Sequence, residues 1–163
     1  MKTKKAATAS KQKPQELIAF CGLYCGECFA HEGRIADLAR DLRKELRQTR
    51  FDKIAGAFSK MSWFKTFEDY PQCYDVLGAM VKVRCRKACR EGGGNPYCKI
   101  RICCGKKKID GCWQCEEFAM CGKMVFLEAV HGDAHIRNLR KLRQKGAKEF
   151  LKGKKHWYCE IRK

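Results

Sequence analysis

The chain reads as a mainly α protein, a small helical domain whose cysteine-rich loops are stapled by metal. Three observations predict this. Apolar residues recur at helical spacing in several stretches, and no stretch shows the strict alternation of a half-buried strand. Most of the thirteen cysteines in the 163 residues crowd into two segments, 21–28 and 85–121. Finally, 45% hydrophobic against 33% charged residues supports only a modest core, and a chain of this size gains from extra staples.

Taken in order, residues 1–15 read as a disordered, lysine-rich tail with Pro14 near its end. The cysteine-rich domain spans 16–152, and 153–163 form a basic, aromatic tail. Within the domain, Leu17 to Phe20 lead into Cys21-Gly-Leu-Tyr-Cys25-Gly-Glu-Cys28, whose glycines let the backbone fold tightly around an ion. The spacing predicts an amphipathic helix over 30–49, with Ile35, Leu38, Ala39, Leu42 and Leu46 on the buried face and a row of arginines opposite. Phe51, Ile54 and Phe58 mark a second helix over 51–60, followed by the bulky Trp63, Phe64, Phe67 and Tyr70. Asp69 ahead of Pro71 marks the start of a helix over 71–84. Gly92-Gly93-Gly94-Asn95-Pro96 forces a loop, and a short helix follows over 98–107. The apolar stretch 118–130 is helical in pattern and ends at Gly132. Asp133 caps a last helix carrying Ile136, Leu139 and Leu142, and Lys145-Gly146 breaks it before a turn at Phe150 and Leu151.

The cysteines carry the chemistry. A tetrahedral zinc ion needs four soft ligands converging at about 2.3 Å from each sulfur. A close pair of cysteines on a tight turn supplies half of such a site. This sequence holds several halves: Cys25-x2-Cys28, Cys85-x3-Cys89 and Cys112-x2-Cys115, with Cys98-x4-Cys103 looser and Cys121 following. An odd number of cysteines excludes complete internal disulfide pairing. The ligand candidates are therefore Cys21, Cys25, Cys28, Cys85, Cys89, Cys98, Cys103, Cys112, Cys115 and Cys121. They could fill two four-sulfur sites with two left over, and the sequence does not partition them.

Zinc is the expected ion. An iron–sulfur cluster, which takes the same thiolates, is the alternative and would make this a redox or electron-transfer protein. Cys21-x3-Cys25-x2-Cys28 also matches the cluster motif of radical enzymes that cleave S-adenosylmethionine, but the series of strand–helix units those enzymes need does not follow. Cys112-Trp-Gln-Cys115 has the spacing of a redox pair and lacks the surrounding βαβ pattern, so ligation is the better reading.

These residues in this order resemble one family. Cys21-Gly-Leu-Tyr-Cys25-Gly-Glu-Cys28, then Cys85-x3-Cys89, Cys98-Lys-Ile-Arg-Ile-Cys103 and Ile109-x2-Cys112-x2-Cys115-Glu-Glu-Phe-x2-Cys121, are similar to the domain-of-unknown-function family 3795 (DUF3795). Asn138-Leu139 and Gly146 resemble its C-terminal helix, so the resemblance spans about 18–152. It implies a small cysteine-rich, metal-binding domain from microbial cytoplasm. Cys104 departs from the family pattern, where a small residue such as alanine is usual. Cys73 and Cys159 also lie outside it, and all three read as free or buried thiols.

Charge suggests a partner. The formal net charge is +18, concentrated in the N-terminal tail, in 82–108 and in 137–163. Tyr97 and Trp157-Tyr158 lie among these charges, an arrangement suited to RNA or DNA through phosphate contacts and base stacking. No base-reading motif accompanies them. His131 and His135 could share a helix face, but Gly132-Asp133 between them points to a structural or exposed role. Glu27, Glu116 and Glu117 border cysteine pairs and read as solvated. With no signal peptide or apolar run of membrane-spanning length, the sequence predicts a cytoplasmic protein without a membrane partner. No acid–base or nucleophile set can be assembled from it, so a binding module is a better expectation than an enzyme.

Overall fold

The computed structural model describes residues 13–157. The expectations for residues 1–12 and 158–163, which take in most of the N-terminal tail, the end of the C-terminal tail and Cys159, fall outside the described residues, while Pro14 to Leu17 at the edge of the expected N-terminal tail form a 3-10 turn. Among the described residues the regular structure is all helical, apart from one isolated antiparallel bridge between Ile18 and Tyr24. The mainly α expectation holds. The chain divides into two compact units: Met1–Gly26 with Lys87–Lys163, and the intervening Glu27–Arg86.

The second of these units is built from α1 (Phe29–Glu32), α2 (Arg34–Gln48), α3 (Phe51–Phe58), a 3-10 stretch over Ser62–Asp69, and α4 (Tyr70–Lys82). The single helix predicted over 30–49 breaks at Gly33, whose φ of 73° is a left-handed conformation that costs glycine nothing. The α2 helix lies where its period predicts, but its buried face is rotated. Ala36 and Ala39 are buried, while Ile35, Leu38 and Leu42 are 46%, 60% and 48% exposed. The reason is the partner helix. The α2–α4 contact runs over small residues, and beside Gly78 of α4 it admits the Arg43 side chain, whose guanidinium donates to the Tyr74 carbonyl and lies 3.9 Å from the Tyr74 ring centroid. The α3 helix and the 3-10 stretch meet through rings, with Phe58 stacked on Phe64 at 5.3 Å and Phe51 edge-on to Phe67 at 5.7 Å.

The other unit carries α5 (Lys99–Lys107), α6 (Val125–His131) and α7 (Ala134–Lys152), joined by short 3-10 turns. The helical stretch predicted over 118–130 begins as two such turns and becomes α-helical only at Val125. Cys121 and Gly122 interrupt it. The α7 helix buries Ala134, His135, Asn138, Leu139, Leu142 and Phe150, one face at the helical period, and the predicted break falls at Gly146. Two apolar clusters result: Ile100, Cys104, Cys112, Phe118, Met124 and Leu139 in one, Ile18, Leu142 and Phe150 in the other. Trp113 packs against both. Gly22 seats the first cysteine loop on α7. Its φ is 84°, and a Cβ there would stand 2.9 Å from the Leu139 side chain, closer than carbon atoms pack.

Candidate metal centre

Eight of the ten candidate ligands belong to the first unit: Cys21, Cys25, Cys89, Cys98, Cys103, Cys112, Cys115 and Cys121. Cys28 and Cys85 belong to the second. There Cys28 leads into α1, and the Cys85 amide donates to the Ala30 carbonyl at 2.8 Å, two residues beyond Cys28. No disulfide joins any two of the described cysteines.

Within the first unit the sulfurs fall into groups. Cys21 is the centre of one. Burial pushes its thiol up to about 12, and the nearby sulfurs of Cys89, Cys25 and Cys98 add to the rise, against a hydrogen bond from the Leu23 amide. Cys89 is likewise raised by burial, while the Phe20 amide donates to its sulfur and favours the thiolate. Amides aimed at sulfur are the kind of support a ligating thiolate needs, because they offset its charge without adding a formal one. In a second group, Lys107 Nζ donates to Cys115 Sγ at 3.4 Å and lies 3.6 Å from a Glu117 carboxylate oxygen. The third is a pair: Cys104 and Cys112, both buried, with their sulfurs 3.7 Å apart.

Two arginines hold these loops. Arg101 Nη1 donates to the carbonyls of Cys89 (3.2 Å) and Gly93 (2.8 Å), and Nη2 to those of Asn95 (2.7 Å) and Pro96 (3.2 Å). One planar fork thus satisfies four carbonyls of the glycine-rich loop and fixes the segment between Cys89 and Cys98. Arg90 donates to Ile18 O at 2.8 Å and Asp110 O at 2.7 Å, and lies over the rings of Phe20 and Trp113. It ties the first cysteine loop to the turn that carries Cys112.

Among the described residues, no three Cys, His, Asp or Glu side chains converge closely enough to enclose an ion. The thiols are gathered but not closed on a common point. The donor set nevertheless suits zinc or an iron–sulfur cluster: it is all sulfur, clustered, partly to fully buried, and supported by amide and arginine donors.

Other candidates stand apart from this chemistry. His135 is 1% exposed, and its ring lies by the Gly132 backbone. His131 Nδ1 meets the Trp157 carbonyl at 2.6 Å. Glu27, Glu116 and Glu117 are exposed, and so is Cys73. Cys104 is a buried free thiol, as its place outside the family pattern led one to expect. Sequence reasoning missed two residues that hold the loops. Arg90 and Arg101 read only as members of a basic block, because charge density does not say which guanidiniums turn inward.

A family model described as a protein of unknown function, DUF3795, matches residues 17–125. The chain belongs to this family. The match takes in every candidate ligand and the whole second unit, and it ends at the first residue of α6, so the α7 helix lies beyond it. No curated protein and no solved structure matches the chain.

Proposed function

We propose that this DUF3795 protein is a thiolate metal-binding module in which zinc is a structural staple. The observation that carries the reading is the group of Cys21, Cys25, Cys89 and Cys98. Two chain segments more than sixty residues apart bring the sulfurs of Cys25, Cys89 and Cys98 near the part-buried Cys21. In a chain without metal, that arrangement is a cost: the sulfurs disfavour one another's ionisation and leave apolar burial to hold a loop-rich unit. A bound dication would reverse the sign of the interaction, since thiolates that repel one another are each attracted to it. The amide donors to Cys21 and Cys89, and the Arg101 fork behind Cys89, would then orient the ligands.

A nucleic-acid partner is a weaker extension of this reading. Arg90 and Arg101 lie in the basic stretch 82–108, and both turn toward backbone carbonyls. Fewer guanidiniums are left for phosphate than the composition suggests.

The test is elemental analysis with an absorption spectrum, on protein purified without oxygen and without a metal-affinity tag. Zinc with no visible absorbance is the expected result. Iron with sulfide and a broad band near roughly 400 nm would replace the staple with a redox centre. A folded protein that carries and takes up no metal would overturn both.

A further inference from the structure

The sequence sets Cys104 aside as a residue outside the family's cysteine pattern, yet its sulfur is paired with that of Cys112. It lies on α5 and is 1% exposed, and Cys112, on the following turn, is 8% exposed. Their sulfurs are 3.7 Å apart. Backbone bonds hold the spacing: Ile109 N donates to Cys104 O at 3.1 Å, and Cys112 N to Phe20 O at 2.9 Å. The surrounding cluster is apolar, formed by Ile100, Phe118, Met124 and Leu139, and Cys21, Cys98 and Cys121 pack against that same cluster.

We infer that Cys104 and Cys112 form one edge of a buried site for a thiophilic dication, so that Cys104 is a metal ligand in its own right. This inference rests on the metal-binding reading above and extends it. Four sulfurs at about 2.3 Å from a tetrahedral ion are separated from one another by about 3.8 Å. The observed spacing is that of a tetrahedron edge, and it is far from the roughly 2.0 Å of a disulfide. Two neutral thiols share at most one weak S–H···S bond, which is a poor use of two buried polar groups. Binding replaces two protons, released to solvent, by one dication, so that the dication and two thiolates together are electrically neutral. A neutral unit is the form that an apolar cluster accepts most readily. A further thiolate can be drawn from Cys121, whose sulfur neighbours Cys112, and Arg90 and Lys107, both near Cys104, offset the charge it brings.

The experiment loads the full, metal-free chain with ¹¹³Cd(II) without oxygen and records cadmium–proton couplings. Couplings to the β protons of Cys104 and Cys112 are expected. In parallel, Cys104→Ala, Cys112→Ala and Cys89→Ala are titrated with Co(II), reading the thiolate-to-metal absorbance. Cys104→Ala is expected to bind at least about tenfold more weakly than the unaltered chain, since loss of a ligand exceeds loss of an outer-shell partner. If cadmium couples to Cys89 and not to Cys104, and Cys104→Ala titrates like the parent, this inference falls while the metal-binding reading stands. If the parent chain takes up neither metal, both fall. The coupling measurement needs no substitution and decides the matter even if Cys104→Ala fails to fold.

Discussion

The two units solve the problem of a small core differently. In the first, long side chains are fully buried: Phe150, Ile18 and Leu139 are each at or below 1% exposure. In the second, no residue larger than alanine is buried, and the apolar faces of α2 and α3 remain half open. Regular helices satisfy their own backbone and hold together through close approach of small residues, ring stacking and a few ion pairs. In the first unit, the turns and loops that join α5, α6 and α7 cannot do that. Their carbonyls must be met by side chains, which is what Arg90 and Arg101 do, and the loops need a staple, which the sulfurs are suited to supply. Loop-rich structure therefore comes with the larger core and the denser polar support.

Truncation should expose this contrast most sharply. Phe150→Ala is expected to cost about 3–5 kcal/mol, because the ring is fully enclosed among Ile18, Leu142 and their neighbours. Trp63→Ala, at a side chain 78% exposed, is expected to stay within about 0.5 kcal/mol. Urea unfolding measures both. Similar costs at the two sites would show that the units do not differ in the way described.

Next in size is Arg101. Its removal strips donors from four carbonyls, and Arg101→Ala is expected to cost about 2–3 kcal/mol, in the range for charged hydrogen bonds. Arg101→Lys should recover little of this, because an ammonium cannot reproduce the planar fork. Proteolysis at residues 92–96 gives a local readout. If lysine restores full resistance there, charge rather than fork geometry holds the loop.

The same contrast explains what could be read in advance. Most helix positions were legible from period, and so were the breaks at Gly132 and Gly146, because helices and their glycine stops are local; the stop at Gly33 and the late start of α6 at Val125 were not read. The buried face of α2 was not legible. Which of two adjacent faces is covered depends on α4, and Gly78 and Arg43 announce nothing about their meeting. Cysteine spacing located the candidate ligands but could not sort them. Cys21 and Cys89 come together through the whole first unit, and the Cys104–Cys112 pair depends on how α5 and the next turn pack. The inward turn of Arg90 and Arg101 is equally a tertiary fact, hidden within a run of like charges.

The smallest effects separate the units by pH. His135 is buried, which holds its imidazole below the ordinary histidine value, and the Glu128 and Asp133 charges only partly oppose this. The unfolded chain therefore takes up the proton first. The stability that this buried, neutral ring contributes is complete above about pH 6.5 and is lost as pH falls through that value toward the folded one. In the second unit, Asp37 accepts from Arg84 at 2.6 Å, and that hydrogen bond holds its carboxyl below the usual range. Its contribution, at most about 1 kcal/mol for a pair this exposed, is present above about pH 4 and is lost as pH falls below it. Amide protection, taken relative to the intrinsic exchange rate at each pH, should thus fall in α7 between pH 7 and 5 while that of α2 is unchanged, and His135→Leu should abolish the slope. A slope that survives in His135→Leu would assign the pH response to another group, and an equal loss of protection in α2 would mean that α2 carries a pH response of its own.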